Sequence, residues 1–400
     1  MSLGFGRHYL AIPGPSVMPD RVLNAMHVPA PNIYTGALVD TVDGIVADLR
    51  TLAHTKDNVA IYIANGHGAW EAANANVFSR GDRALSLATG RFGINWAAQA
   101  REMGVEIDMI DFGLRAPVDA QRVEEALRAD TGHSYKAVLL THVDTATSVR
   151  NDVQAVRQAM DAAGHPALLM VDCVASFACD PFEMDAWGVD VLVTASQKGL
   201  MTPPGLGILF FSDKAKQATR GNDLRTPYWD WQPRAEPQEF YQHFYGTAPT
   251  HLLLGLAEAL NMILREEGYE AVMQRHRTLA RTVWAAFDAW SHGSEIALNI
   301  ADPAFRGHSV TAARMGAPHG TALREWTEQN VGVTLGIGLG MAEPGDPSWH
   351  GFLRVAHMGH VNAHMTLGVL SVMEAGLRAL DIPHGPGALD AAAQVIASSC

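Results

Sequence analysis

The stretch "DVLVTASQKGLMTPPGLGILFFS", Asp190–Ser212, holds two apolar runs on either side of a turn broken by glycine and proline. Runs of this length rich in Val, Leu, Ile and Phe read as strands, and apolar residues at successive positions mark strands covered on both faces. Upstream the pattern repeats in "NVAIYIA" (58–64), "ALSLA" (84–88), "VEIDMID" (105–111), "AVLLTH" (137–142) and "ALLMVD" (167–172). Amphipathic patterns such as "GAWEAANANVF", "FGINWAAQAREMG", "DAQRVEEALRA" and "DVQAVRQAMDAAG" lie between them. Strands alternating with helices in this way predict an α/β fold around a mostly parallel sheet.

Downstream, "THLLLGLAEALNMILREEG" (Thr250–Gly268) reads as a long helix leaving that sheet. "SVTAARM", "VGVTLGI" and "FLRVAHM" then read as strands, with helices at "ALREWTEQN" and "MTLGVLSVMEAGLRAL". The expected organisation is a large domain over 21–268 and a smaller C-terminal α/β domain over 269–400, joined by residues 1–20. The polar, aromatic, proline-broken segment from Asn222 to Thr250 is expected to cover a site or an interface.

Four hundred residues suit two domains, and 48% apolar residues supply their cores. A formal charge of −13 argues against a nucleic-acid partner and against an anionic membrane. Cys173, Cys179 and Cys400 form no disulfide framework, and no pair has zinc-site spacing. "MSLGFGRHYLAIPGPS" lacks the pattern of a signal peptide, and "VGVTLGIGLGMA" is too short to span a bilayer. The expected location is the cytoplasm.

Chemistry gathers where the strands end, because open α/β sheets bind ligands there. Lys198 stands alone at the end of one strand, held by Gly199 and the Pro203-Pro204-Gly205 turn. A lysine in such a place is ordinarily solvated. Asp172 closes another strand, as a turn-former or as an anion kept in low dielectric. Asn65-Gly66-His67-Gly68 leads from a strand into a helix whose N-terminal N–H groups suit a phosphate, although the sequence matches neither GxGxxG nor a Walker loop. "THVDTATS" adds His142, Asp144, Thr145 and Thr147, and Phe92 is either core or a stacking face. Together, a phosphate loop, a strand-end acid and a strand-end amine are what pyridoxal 5′-phosphate requires.

With those residues the sequence resembles a class V aminotransferase of the alanine/serine–glyoxylate branch, with the PLP-transferase fold type I and a seven-stranded, mostly parallel sheet. The resemblance runs from "IPGPS" at Ile12 to "RVAHMGHVN" at Arg354, and rests most firmly on "VDCVAS" and "SQKGLMTPPG". It implies that Lys198 forms the Schiff base with the cofactor and that Asp172 pairs with the ring nitrogen. It implies that Gly66, His67 and Gln197, beside Asn65, hold the phosphate. Phe92 would stack on the ring, Thr145 would lie near its hydroxyl, and Arg354 would grip the substrate carboxylate. Of the Tyr-x-x-Thr that relatives use at the partner subunit's phosphate, "HFYGTAP" keeps only Thr247, with Phe244 in the tyrosine's place. Asp144 replaces a glutamate and Ser148 a glycine, and "PNIYTGALVD" lacks the His-Arg of glyoxylate enzymes.

The implied activity is ping-pong transfer of an amino group from a small amino acid of the alanine or serine type to glyoxylate or a similar small 2-oxo acid, in a homodimer with shared active sites. Alternatives are pyruvate paired with an aminophosphonate or pyridoxamine, or a related lyase. A desulfurase needs a mobile cysteine, a role for which neither Cys173 nor Cys400 is placed. His357, His360 and His364 have ligand-like spacing, but no metal is expected. Ile12-Pro13-Gly14-Pro15 is expected to form a stiff lip over the substrate, with Tyr34 either narrowing the same space or standing in an ordinary loop. Glyoxylate should then outperform pyruvate, and 2-oxoglutarate should be poor. No second arginine is evident for a distal carboxylate, unless Arg7 or Arg225 serves.

Overall fold

The computed structural model describes residues 2–399. Seven strands form the larger sheet: β2 (Asn58–Ala64), β3 (Arg83–Ala88), β4 (Glu106–Asp111), β5 (Tyr135–Thr141), β6 (Leu168–Asp172), β7 (Val191–Ala195) and β8 (Gly205–Phe211). Their order is β2-β8-β7-β6-β5-β3-β4. All neighbours pair in parallel except β8, which runs against both β2 and β7. The reason is the connection. A parallel partner needs a crossover of a dozen residues or more, and the short turn after Ala195 allows only a hairpin. Lys198 therefore sits in a hairpin turn at the edge where the parallel strands present their carboxyl ends.

The successive apolar residues of each strand are divided between two cores. On β5, Val138 and Leu140 join the cluster on one face, with Val171 and Leu192. Ala137 and Leu139 join the other, with Met170, Val193 and Trp96. Helices cover both faces, as the unbroken apolar runs require.

The smaller sheet contains β1 (Tyr9–Ala11), β9 (Ala297–Leu298), β10 (Val310–Arg314), β11 (Val333–Ile337) and β12 (Phe352–Ala356), in the order β1-β11-β12-β10-β9. β1 pairs with β11 in parallel, Tyr9 opposite Val333 and Ala11 opposite Leu335. The helices Tyr269–Trp290 and Ala363–Ala379 cover this sheet through Val283, Phe287, Leu370 and Met373. The helix expected over Thr250–Gly268 is regular to Asn261 and widens into a π-turn over Met262–Glu267. Gly268, at φ +89°, ends it.

The irregular segment expected to cover a site or an interface lies against β2, an outer strand of the large sheet. Arg234 is buried there and donates from Nη1 to Ile61 O at 3.0 Å and from Nη2 to Tyr228 O at 2.7 Å. Its guanidinium stacks on Tyr62 at 4.3 Å. This closes an edge that would otherwise present free backbone groups. Tyr241, Tyr245 and Thr247 of the same segment remain exposed.

Candidate active site

The turn that carries Lys198 is rigid for local reasons. Ser196 Oγ donates to Pro203 O at 2.7 Å and accepts from Leu206 N at 3.2 Å, which closes the loop. At Gly199 a side chain would collide with Phe177 O and Cys179 Sγ. The N-terminal segment clips onto the same turn: Ser16 N donates to Gln197 O at 2.9 Å, and Ser16 Oγ to Lys198 O at 2.7 Å. The Lys198 amine donates to Pro13 O. Gly14, at φ +104°, lies directly against it, and a Cβ there would overlap Nζ. Burial lowers the pKa of Lys198 to about 8, and the charge of Arg354 adds to the effect, while Asp172 and Cys179 act against it.

Asp172 ends β6, the sheet neighbour of β7. It is buried and accepts from Val174 N on Oδ1 at 2.8 Å. Burial raises its pKa to about 7; the Val174 N–H opposes the rise, Asp144 adds to it, and Trp70 and Lys198 oppose it. Asp144, after β5, is also buried, and accepts from Phe92 N at 2.8 Å, Gly93 N at 3.3 Å and Ala146 N at 2.9 Å. It caps the helix Arg91–Glu102 from a distant part of the chain and so fixes Phe92. A side chain at Gly90 would strike its carboxylate.

On the side of β2, Asn65 caps the helix Gly66–Val77, its Oδ1 accepting from Gly68 N at 3.1 Å. Gly66 packs against Val174, where a Cβ would approach Cγ2 to 3.2 Å, so this N-terminus lies beside the end of β6. The His67 ring meets Trp70 edge-on at 4.7 Å and lies 6.5 Å from Phe92. Burial, then Arg91 and Lys198, lower its pKa, which favours neutral imidazole. Gln197 Oε1 is buried without a hydrogen-bond partner.

Arg354, on β12, is buried, with Nε donating to Ile337 O at 2.7 Å and Nη1 to Thr145 O at 2.8 Å. Two of its five N–H donors are thus used for positioning. Burial lowers its pKa to about 10; Asp144 opposes this and Arg324 adds to it. Gly336, opposite Arg354 in the sheet, leaves room for both Arg354 and Pro13.

A cavity of about 350 Å³ unites Gly14, Phe92, Thr145, Lys198 and Arg354 from distant parts of the chain. Asp172, Asn65, Gly66, His67 and Gln197 lie beside it rather than on its wall. Tyr34 and Thr247 stand apart. Tyr34 is 79% exposed, because Asn32 Oδ1 accepts its N–H and turns the loop outward ahead of the helix Ala37–Ala53. It does not narrow the cavity of its own chain. Arg7 is taken by Asp20 at 2.7 Å and Arg225 by Asp230 at 3.4 Å, so neither candidate for a distal carboxylate reaches the cavity. Arg324 does, and nothing in its local sequence marked it.

Of the three spaced histidines, His357 is buried between Thr311 Oγ1 at 2.9 Å and His308 O at 2.7 Å. His360 and His364 line a separate surface hollow with Arg7 and Asp20. Among the described residues no cluster of His, Cys, Asp or Glu is arranged to hold a metal, and no helix is long and apolar enough to cross a membrane. Cys173 and Cys179 are buried, with burial raising the pKa of both. Cys400 lies outside the described residues.

Residues 8–346 match the family model for aminotransferase class V. The chain belongs to this family. As a class V aminotransferase it is 35% identical over 397 residues to a serine–glyoxylate aminotransferase of Methylorubrum extorquens, covering 97% of this chain and 95% of that one. It is equally 35% identical over 390 residues to an L-aspartate–glyoxylate aminotransferase of Paracoccus denitrificans, covering 96% and 94%. The solved structure of an alanine–glyoxylate aminotransferase from Nostoc sp. superposes with a TM-score of 0.84 at 26% identity, over 93% of this chain and 96% of that one. Arg354 lies just beyond the matched span of the family model, yet it lines the same cavity as Lys198.

Proposed function

We propose that this aminotransferase uses pyridoxal 5′-phosphate to move the amino group of a small amino acid to glyoxylate. The observation that carries the reading is a half-buried amine, Lys198, sharing one small cavity with a buried guanidinium, Arg354, beside the buried strand-end carboxylate Asp172. The residues fit the cofactor. Lys198 Nζ is the amine that attaches it. Among the described residues the hydrogen bond Asp172 accepts, from Val174 N, falls on Oδ1, which leaves Oδ2 for the ring nitrogen. The helix N-terminus at Asn65, Gly66 and His67 offers N–H donors to the phosphate. Gln197, whose buried Oε1 lacks a partner, is free to turn its amide and present N–H groups to the same anion. Phe92 provides a face for the ring, and Thr145 lies next to it.

When bound, pyridoxal 5′-phosphate supplies an electron-withdrawing ring that stabilises negative charge at the substrate α-carbon. The chain does the rest. Arg354 receives the substrate carboxylate on the N–H groups it does not use for positioning, which orients the α-carbon. Lys198, its pKa lowered by burial, would take the α-proton on Nζ as general base and give a proton back as general acid. Pro13 and Gly14 close over the amine and keep water from the reacting atoms. The relatives named above act with serine, aspartate or alanine, and all three names include glyoxylate, which supports glyoxylate as acceptor and leaves the donor to the site.

Exposed Tyr241, Tyr245 and Thr247, beside the large sheet, support a homodimer in which Thr247 completes the neighbour's phosphate site. The pairing of β1 with β11 supports assigning residues 1–20 to the domain formed by 269–400. Glycine formation from glyoxylate with a panel of amino donors tests the function. Wild-type protein should form glycine, prefer glyoxylate over pyruvate and 2-oxoglutarate in competition, and lose turnover by several orders of magnitude in Lys198→Ala. Turnover near the wild-type rate in that variant would refute the reading.

A further inference from the structure

We propose that Arg324 is a second carboxylate anchor in this cavity, so that a dicarboxylic amino acid of aspartate's length is the preferred donor. The inference rests on the reading of the cavity as the aminotransfer site. Arg324 lies on the helix His319–Val331 and is half-buried, and it lines the same cavity as Lys198 and Arg354. Gly332, at φ +73°, turns that helix directly into β11. Arg324 Nε donates to Leu335 O at 3.4 Å, and Arg354 Nε donates to Ile337 O at 2.7 Å. The two carbonyls belong to one strand, two residues apart, so they point the same way and are separated by roughly 6.5–7 Å. Both guanidinium groups are thereby moored to β11 and line one cavity, an arrangement that suits the two carboxylates of a short diacid.

One of the pair already has a task, and the other has none within the protein. Among the described residues the terminal nitrogens of Arg324 make no hydrogen bond and no ion pair. Glu325 and Glu328 follow on the same helix and favour its charge, but burial outweighs them and its pKa falls. A guanidinium held partly out of water without a paired anion is relieved by an incoming carboxylate, which it receives in forked geometry. Leu335 also pairs with Ala11, so Arg324 is held next to the strand that leads to Pro13 and Gly14 over the reacting amine.

The test uses the holoenzyme and Arg324→Gln, a change that keeps helix propensity. The ratio of kcat/KM for L-aspartate to that for L-alanine, with glyoxylate as acceptor, should favour aspartate in the wild type and fall at least about tenfold in R324Q. Arg324→Lys should recover part of the ratio. Independently of turnover, calorimetry should find that succinate binds wild type more tightly than butyrate and that R324Q loses the difference. An unchanged ratio in R324Q, or a succinate advantage that survives the substitution, overturns the proposal. Absence of turnover with every donor would strike the aminotransfer reading instead, and succinate calorimetry would then decide the role of Arg324 alone.

Discussion

Lys198 owes its chemistry to its neighbours more than to its own strand. Burial, and then the charge of Arg354, push the pKa of its amine down to about 8 from the ordinary 10.5. The neutral amine is the form that attacks an aldehyde. Uptake of pyridoxal 5′-phosphate by the apoprotein should therefore accelerate about tenfold per pH unit below 8 and level off above it, as followed by the absorbance of the bound cofactor. A flat profile between pH 6 and 9 would show that the amine does not titrate there. Lys198 and Asp172 were legible in the sequence because each closes an apolar run beside its own turn residues. Arg324 was not, because its position depends on how a helix in the small domain meets β11. The Pro13 carbonyl escaped for a related reason: a backbone oxygen carries no residue-specific signal, although the proline lip around it did.

Among the elements, the helix Gly66–Val77 is the one proposed above to receive the phosphate, and local bonds shape its first turn. Asn65 caps it, and the cap holds the first turn so that its free N–H groups face the end of β6. Asn65→Ala should cost about 1 kcal/mol of stability, the usual value of a lost cap, and weaken cofactor binding several-fold. Denaturant midpoints and cofactor titration measure the two effects, and unchanged cofactor affinity would place the phosphate elsewhere. The strands β2–β8 and β10–β12 could be read because each is an apolar run or, as in β4, an alternating one, bounded by turn residues. β1 and β9, at three and two residues, are too short to carry a period. The reversed direction of β8 was implicit in the brevity of the Lys198 turn. For Tyr34 the sequence left a narrowing role and an ordinary loop both open, because it shows an aromatic residue but not the Asn32 bond that accompanies its exposure.

At the scale of the whole molecule, three buried imidazoles make the fold sensitive to acid. Burial lowers His142 and His357 to a pKa of about 4 and His276 to about 3, against an ordinary 6.5. His276 makes the reason concrete: its Nε2 accepts from Gly359 N at 3.0 Å, which a protonated ring cannot do. Between pH 6.5 and about 4 the unfolded chain binds these protons and the folded chain does not, so stability rises with pH across that window and is lost as pH falls through it. Each histidine contributes up to about 1.4 kcal/mol per pH unit. Asp172, raised to about 7, and Asp57, raised to about 6, act in the opposite sense over the same window, so the histidine contribution is read by difference: between pH 6.5 and 4 His276→Gln should lose less stability than the wild type does. An equal slope in that variant would assign the acid response to other groups. The pairing of β1 with β11 has a further consequence, for biosynthesis. Tyr9 leaves the ribosome early, but Gly332, whose carbonyl accepts its N–H, and Val333, opposite it in the sheet, follow only after most of the chain. At about 5–20 residues per second the delay is tens of seconds. Until then the clip of Ser16 onto the Lys198 turn is what holds Pro13 and Gly14 over the amine, without the support of the small sheet.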